Sequence, residues 1–118
     1  MDHNDITIII LLYKTPSNLL KNLEKYKSFK VLILDQSNDI ANKITLSKIL
    51  PKIQYYGLTS INMGFAKAQN FLVKKVKTKY FFSTQPDIKI SIKSIINLKK
   101  PIIKFKRDCV VAIPKINK

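Results

Sequence analysis

The chain has 118 residues, of which 46% are hydrophobic, so it is long enough for one domain with a core and is too apolar for an intrinsically disordered chain. Its net charge of +15 comes almost entirely from lysine, with Arg107 as the only arginine. Three interpretations stay open: the amino-acid bias of an AT-rich genome, attraction to phosphate or anionic lipid, and nucleic-acid binding. The scarcity of arginine disfavours the last of these.

Cysteine content and hydropathy predict a protein of the cytoplasm or of the inner membrane face. Cys109 is the only cysteine, so it has no partner for an internal disulfide, and its apolar surroundings predict a buried thiol. The longest apolar run, residues 6–13, is too short to span a bilayer and follows Asp2 and Asp5. It therefore resembles neither a membrane span nor a signal peptide.

Apolar runs typical of strands alternate with segments of helical periodicity along the chain. Strands are predicted at residues 6–13, 30–34, 53–58, 79–83 and 109–113. Helices are predicted after Pro16, before Pro51, at residues 64–77 and at residues 91–98. This alternation predicts an α/β fold in three layers, a mostly parallel sheet of about five strands with helices on both faces.

Parallel sheets bind ligands beyond the carboxyl ends of their strands, which selects residues 12–15, 35–39 and 84–87, and two of these segments carry carboxylates. Asp35 follows the second strand, and it is placed either to accept hydrogen bonds from a base or ribose or to form a turn or helix cap. Asp87 follows the fourth strand, and it either binds a divalent cation with its phosphates or again forms a turn. Position alone does not decide between these roles.

Residues 62–70 form the most distinctive segment. Gly64 is one of 2 glycines and stands at a predicted junction between loop and helix. Glycine there permits unusual backbone angles, and the helix N-terminus beyond it favours an anion; a plain helix start explains the same pattern. His3 is the only histidine and no cysteine cluster accompanies it, so the sequence offers no zinc site and no Ser-His-Asp triad.

Taken in order, these segments resemble the family 2 glycosyltransferases. ITIIILLYK (6–14) resembles their opening strand, VLILDQS (31–37) their second strand, and NMGFAKAQN (62–70) is similar to the N-x-G-F-A-x-A-x-N segment of the rhamnosyltransferase-like branch. YFFSTQPD (80–87) resembles that branch's strand ending in Asn-Pro-Asp, its version of the DxD motif, and VVAIPKI (110–116) resembles the strand that follows.

The resemblance implies a partial GT-A fold, Rossmann-like, that binds a UDP- or dTDP-sugar together with Mg²⁺ or Mn²⁺. It implies that Tyr13 lines the base pocket and that Asp35 contacts the base or ribose. Asn62 and Gly64 would shape the nucleotide loop, and Asp87 would hold the metal and the diphosphate. The acceptor would be a saccharide or a lipid-linked molecule, in the synthesis of cell-surface polysaccharide.

The resemblance also implies that residues 1–118 form a single domain, the nucleotide-sugar-binding half, without the acceptor half and its catalytic base. No catalytic residue is identified. The sequence departs from the family at Leu12 and Lys14, which stand where Thr and Asn are common, and at Gln85, which replaces a possible metal ligand. Two alternatives remain: a non-catalytic remnant or partner module of the same fold that pairs with a second chain, and a basic nucleic-acid-binding domain.

Overall fold

A computed structural model describes residues 5–86 and residue 93 of the chain. Within this part, strands and helices alternate as β1 (Ile6–Leu12), a 3₁₀ helix (Ser17–Tyr26), β2 (Lys30–Asp35), α1 (Ile40–Ile49), β3 (Ile53–Leu58), α2 (Phe65–Val73) and β4 (Tyr80–Thr84). The helix predicted at residues 91–98 and the strand predicted at residues 109–113 lie outside the described residues. The alternation itself is confirmed.

All strands of the described sheet are parallel, in the order β3-β2-β1-β4. The chain builds outward from β1 to β2 and β3, and α2 then returns it to the other side of β1, where β4 pairs. The winding direction reverses between β1 and β4. In open α/β sheets such a switch point opens a crevice at the carboxyl ends of the strands.

The position of each strand, central or at an edge of the described sheet, accounts for its hydrophobic pattern. Every residue of the central strand β1 is buried, and β2 is buried after Lys30. Both strands are continuous apolar runs because neither face meets solvent. In β3, at an edge of the described sheet, only Gly57 is buried. Its weaker apolar pattern follows from this edge position.

The first helical segment is a 3₁₀ helix, although the sequence predicts an ordinary helix from its apolar spacing. Its buried residues are Leu20, Leu23 and Tyr26, each three positions after the one before. A 3₁₀ helix has about 3.0 residues per turn, so side chains at that spacing lie directly above one another. The core therefore receives all three along one side, while Leu19 is only half-buried.

Alternate side chains of β1 enter two hydrophobic clusters, because successive strand residues point to opposite faces. The first cluster contains Ile8 and Ile10 with residues of the 3₁₀ helix and of α1, and the second contains Ile9 and Leu11 with residues of α2. Both clusters include side chains of β1, β2 and β4, so these strands pack on both of their faces. Within the described part of the chain, no helix is long and apolar enough to cross a membrane.

Helix α2 ends at Val73, four residues before the predicted end. Its backbone tightens there, since the Lys75 N–H donates to the Leu72 carbonyl (2.9 Å) and the Val76 N–H to the Val73 carbonyl (3.0 Å). The lysines that follow therefore leave the helix axis and lie beside the amino ends of the strands. The lysines at positions 74, 75 and 77 therefore follow the helix and do not form its last turn.

Candidate functional site

A cavity of about 350 Å³ lies at the switch point, beyond the carboxyl ends of β1, β2 and β4. Its volume falls in the range of small-molecule sites. The residues lining it are Leu11, Leu12, Tyr13, Lys14, Thr15, Pro16, Leu19, Gln36, Asn62, Phe65, Gln85 and Pro86. All three strand ends selected from the sequence thus contribute to one cavity.

The predicted site residues are placed differently from one another. Tyr13 and Asn62 line the cavity, and Gly64 lies next to Phe65, which also lines it. Asp35 is 0% exposed and is absent from the lining. Asp87, the predicted metal ligand, lies outside the described residues. The structure therefore brings together Tyr13, Asn62 and the Gly64 turn, and places Asp35 beneath them.

One oxygen of Asp35 organises the loops below the cavity. Its Oδ1 accepts hydrogen bonds from the Ser37 N–H (2.8 Å) and the Ser37 hydroxyl (2.6 Å). The Lys14 N–H in turn donates to Ser37 Oγ (3.1 Å). This chain links the loop after β1 to the loop after β2. The turn-forming role that the sequence left open is thus one that Asp35 performs.

The other oxygen, Asp35 Oδ2, is buried and has no hydrogen-bond partner among the described residues, and the same holds for the hydroxyl of Tyr56. Tyr56 pairs with Ile33 across the sheet, so its side chain lies on the same face as Asp35. Burial and, secondarily, the charges of Asp35 and Asp39 raise the pKa of the Tyr56 hydroxyl well above its usual range. Two polar side-chain atoms, one from Asp35 and one from Tyr56, are therefore buried at this strand end without a hydrogen-bond partner among the described residues.

Two side-chain acceptors hold the loop that leads into α2. The buried Gln36 accepts a hydrogen bond at Oε1 from the Met63 N–H (2.6 Å), and Asn62 Oδ1 accepts one from the Gly64 N–H (3.0 Å). Gly64 has φ 87° and ψ 162°, a backbone region that is essentially restricted to glycine. The second of the chain's two glycines is thus required by backbone geometry at the cavity rim.

Helices α1 and α2 begin in different ways. Asp39 caps α1 by accepting a hydrogen bond from the Asn42 N–H (2.9 Å). Helix α2 begins after Gly64, and no side chain in the described part of the protein caps it, nor does its first turn contain an acidic residue. Its first N–H groups and the positive end of its dipole are therefore left for another acceptor, next to the cavity that Phe65 lines.

Lys14 supplies the positive charge of the cavity and adopts an uncommon backbone conformation. Its φ is 48°, in the left-handed region that residues other than glycine seldom occupy. The Ser37 hydroxyl bound to its N–H holds it there. In the sequence, Lys14 stands out only because it replaces the Asn that is common in the family. Its position at the cavity is decided by the tertiary structure.

Two aromatic side chains, Tyr13 and Phe65, line the cavity. Tyr13 is 47% exposed after β1, and Phe65 is 50% exposed at the start of α2. On the far side, the Asn22 side chain donates to the Pro86 carbonyl (3.3 Å) and holds the end of β4. Half-exposed rings with their faces near a cavity are suited to stacking on a planar ligand. Phe65 lies in the distinctive segment, residues 62–70, and this is the sequence signal that could have identified it as a site residue.

A divalent cation needs several oxygen ligands, and few suitable ones are present among the described residues. Among them, no three His, Cys, Asp or Glu side chains are grouped so as to hold a metal ion. The described lining offers amide oxygens from Gln36, Asn62 and Gln85 and no carboxylate. Hard divalent cations favour carboxylates, so the described lining by itself does not fit a metal.

No protein-family model matches the chain, and neither a curated protein nor a solved structure does.

Proposed function

We propose that the chain is the donor-binding domain of a family 2-like glycosyltransferase and binds a nucleoside-diphosphate sugar in the cavity at the switch point. The observation that carries the proposal is the position of this cavity, at the carboxyl ends of β1, β2 and β4. Nucleotides bind at that position in other sheets of this topology. Tyr13 and Asn62, which the family resemblance selects, line it.

The surroundings of the cavity suit the parts of such a ligand. In the proposal the rings of Tyr13 and Phe65 stack on a base. Lys14, whose Nζ lies 5.3 Å from the centre of the Tyr13 ring, supplies positive potential for a diphosphate together with the start of α2. In the proposal, Asp35 acts through Oδ2, together with Tyr56, on a polar edge of the base or ribose. The two hydrophobic clusters support the three-layer, partial GT-A arrangement of the proposal, because each cluster joins the strands to helical residues.

In the proposal, Asp87 is the residue that would bind Mg²⁺ or Mn²⁺, because the described lining contains no carboxylate. No catalytic step is assigned to the described residues, since neither a carboxylate nor a histidine among them reaches the cavity lining. Transfer to a saccharide or lipid-linked acceptor would therefore need a base from elsewhere in the protein. What the cavity itself supports is donor binding.

Calorimetric titration with UDP, dTDP and their sugars, with and without Mn²⁺, tests the proposal. We expect one saturable site, and we expect Tyr13→Ala to weaken binding about tenfold because a stacked ring is lost. Phe71→Ala is the matched control, since that ring is 38% exposed on α2 but does not line the cavity. A folded sample that binds none of these ligands would contradict the proposal.

The role of charge is tested in the same titration by Lys14→Gln. We expect this variant to weaken binding of UDP and to leave binding of uridine unchanged, because only UDP carries the diphosphate. The control is Lys21→Gln, a fully separate exposed lysine of the 3₁₀ helix. Equal losses for UDP and uridine would show that Lys14 shapes the loop instead of contacting phosphate.

A further inference from the structure

A second cavity, of about 440 Å³, lies at the opposite end of the sheet. Its lining comes from the amino ends of β1, β2 and β3 and from the turn after α2. The residues are Thr7, Lys30, Leu32, Gln54, Tyr55, Lys74, Lys75, Lys77 and Thr78. None of them lines the cavity at the switch point. The second cavity is therefore a separate place, with its own chemistry.

Lysine is more frequent at this cavity than at the switch-point cavity. Of the 9 described residues that line it, 4 are lysines and none is acidic, whereas 1 of the 12 described residues that line the switch-point cavity is a lysine. A compositional bias alone would distribute lysine over both. Since Lys30 comes from β2 and Lys77 from the turn after α2, the fold itself collects these charges.

Aromatic rings fix one of these lysines in place. The Nζ of Lys75 lies 4.4 Å from the centre of the Tyr55 ring and 5.0 Å from that of Phe71. Such cation–π contacts hold the ammonium group without neutralising its charge. Lys30, Lys74 and Lys77 are exposed, so they can turn toward a shared ligand. The cavity combines a fixed cation with adjustable ones.

The other polar side chains among the described residues that line the cavity carry no charge that would offset the lysines. Thr78 donates its hydroxyl proton to the Tyr80 carbonyl (2.8 Å), so Thr7 is the donor in the 2.6 Å hydrogen bond between the two threonine hydroxyls. Their protons are therefore already used. The C-terminal end of α2 contributes only about half a unit of negative charge. Four ammonium groups around one cavity repel one another, and a bound anion removes that repulsion.

We propose that this cavity binds a compact, multiply charged anion that presents phosphate groups. Lysine suits this role because ammonium groups bind phosphate as point charges and need no planar geometry. A recessed cavity of this volume fits a few phosphates and not the long flat surface of a nucleic acid duplex. The phosphates come either from a soluble polyphosphate or from a lipid headgroup at a membrane surface.

Nuclear magnetic resonance of the amide groups, with tripolyphosphate as the probe, tests this assignment. We expect saturable shifts at Lys30, Gln54 and residues 74–78, and affinity that falls as salt rises. Shifts confined to residues around Tyr13 and Phe65 would overturn the proposal. So would the lack of saturable binding at low salt. Because the two cavities share no lining residue, this result is independent of whether UDP binds.

Charge-matched triple variants separate this cavity from the overall charge. Lys30→Gln/Lys74→Gln/Lys77→Gln is expected to weaken tripolyphosphate binding about tenfold or more, from three lost ion contacts. The control removes the same charge from exposed lysines that do not line the cavity: Lys21→Gln/Lys48→Gln/Lys67→Gln. The control is expected to change affinity by less than about twofold, within what screened surface charges contribute. Equal weakening in both triples would overturn the proposal.

Two further titrations identify the source of the phosphates. Cosedimentation of the wild type, but not of the cavity triple, with vesicles containing cardiolipin, whose headgroup carries two phosphates, would identify a lipid headgroup. Binding of tripolyphosphate without cosedimentation would identify a soluble anion, and either result supports the shared chemistry. Tighter binding of a short DNA duplex than of tripolyphosphate, at equal salt, would overturn the assignment to a compact anion.

Discussion

The carboxyl and amino ends of the same sheet border cavities of comparable size but different construction. At the carboxyl ends, buried side chains such as Asp35 and Gln36 hold three loops, and one lysine lines the cavity. At the amino ends, exposed lysines line the cavity, and Lys75 is held by aromatic rings. A site built from buried polar groups is coupled to folding, whereas a site of exposed charges is not. Substitutions at the first should therefore change stability, and substitutions at the second only binding.

The largest effect on stability is expected at Asp35. In Asp35→Ala the N–H and hydroxyl of Ser37 lose their acceptor, and the free energy of unfolding should fall by about 3 kcal/mol, the loss typical of a broken hydrogen bond to a charged group. Asp35→Asn retains an acceptor oxygen and removes a buried charge, so it should cost less than half as much. Chemical denaturation measures both. Equal losses would mean that the carboxylate charge, and not the turn, stabilises this end.

A smaller loss is expected at Gly64, from backbone strain alone. An added Cβ would meet nothing within 4 Å, so Gly64→Ala costs only what its φ of 87° and ψ of 162° impose, about 2 kcal/mol. Gly64→Asn should be no better, because asparagine tolerates the left-handed helical region and this ψ lies outside it. Thermal unfolding measures the cost. Recovery of stability by Asn would show that the turn relaxes into that region.

The smallest effect is expected at Tyr56 and depends on pH. Because burial and nearby carboxylates raise the pKa of Tyr56, the folded state keeps this proton when the unfolded chain, with its usual pKa of about 10, has lost it. The free energy of unfolding should therefore fall as pH rises above about 10, and it should fall less steeply in Tyr56→Phe. At neutral pH the variant should be as stable as the wild type or more so, since it removes a buried hydroxyl without a partner.

The control for the pH dependence is Tyr13→Phe, whose ring is 47% exposed. Its unfolding free energy should follow that of the wild type across the same pH range. Unfolding monitored by fluorescence or circular dichroism at each pH gives the slopes. Identical slopes in Tyr56→Phe and the wild type would show that Tyr56 ionises equally in the folded and unfolded chains.

Much of the fold could be predicted because the deciding signals are local. The continuous apolar runs of β1 and β2 indicate strands buried on both faces, and the structure confirms both within one residue at their ends. The 3₁₀ helix was missed, because Leu20, Leu23 and Tyr26 fit either helical period and packing selects between them. The end of α2 was misplaced, since lysines have good helix propensity and only the tightened backbone after Leu72 ends it.

The candidate site could be predicted in part. The rule that ligands bind beyond the carboxyl ends of strands selects the segments after β1, β2 and β4, which contribute to the cavity, and the family resemblance selects Tyr13 and Asn62, which line it. Lys14 and Gln36 were missed, because neither residue type marks a site until a neighbouring strand end is placed beside it. The position of Asp35 in the sequence is compatible with a ligand contact or with a turn. In the structure its Oδ1 accepts the hydrogen bonds of the turn at Ser37.

By itself, the amino-acid sequence determined the strand and helix alternation, the buried strands and the glycine at the start of α2, because periodicity, hydrophobicity and backbone freedom act over a few residues. Tertiary structure alone decided that β4 pairs with β1, which creates the switch point and its cavity. It also decided that Lys30 and the lysines after α2 face one space, although 44 positions separate Lys30 from Lys74 in the numbering. Contacts at such separation depend on how the whole sheet packs, and no local pattern encodes them.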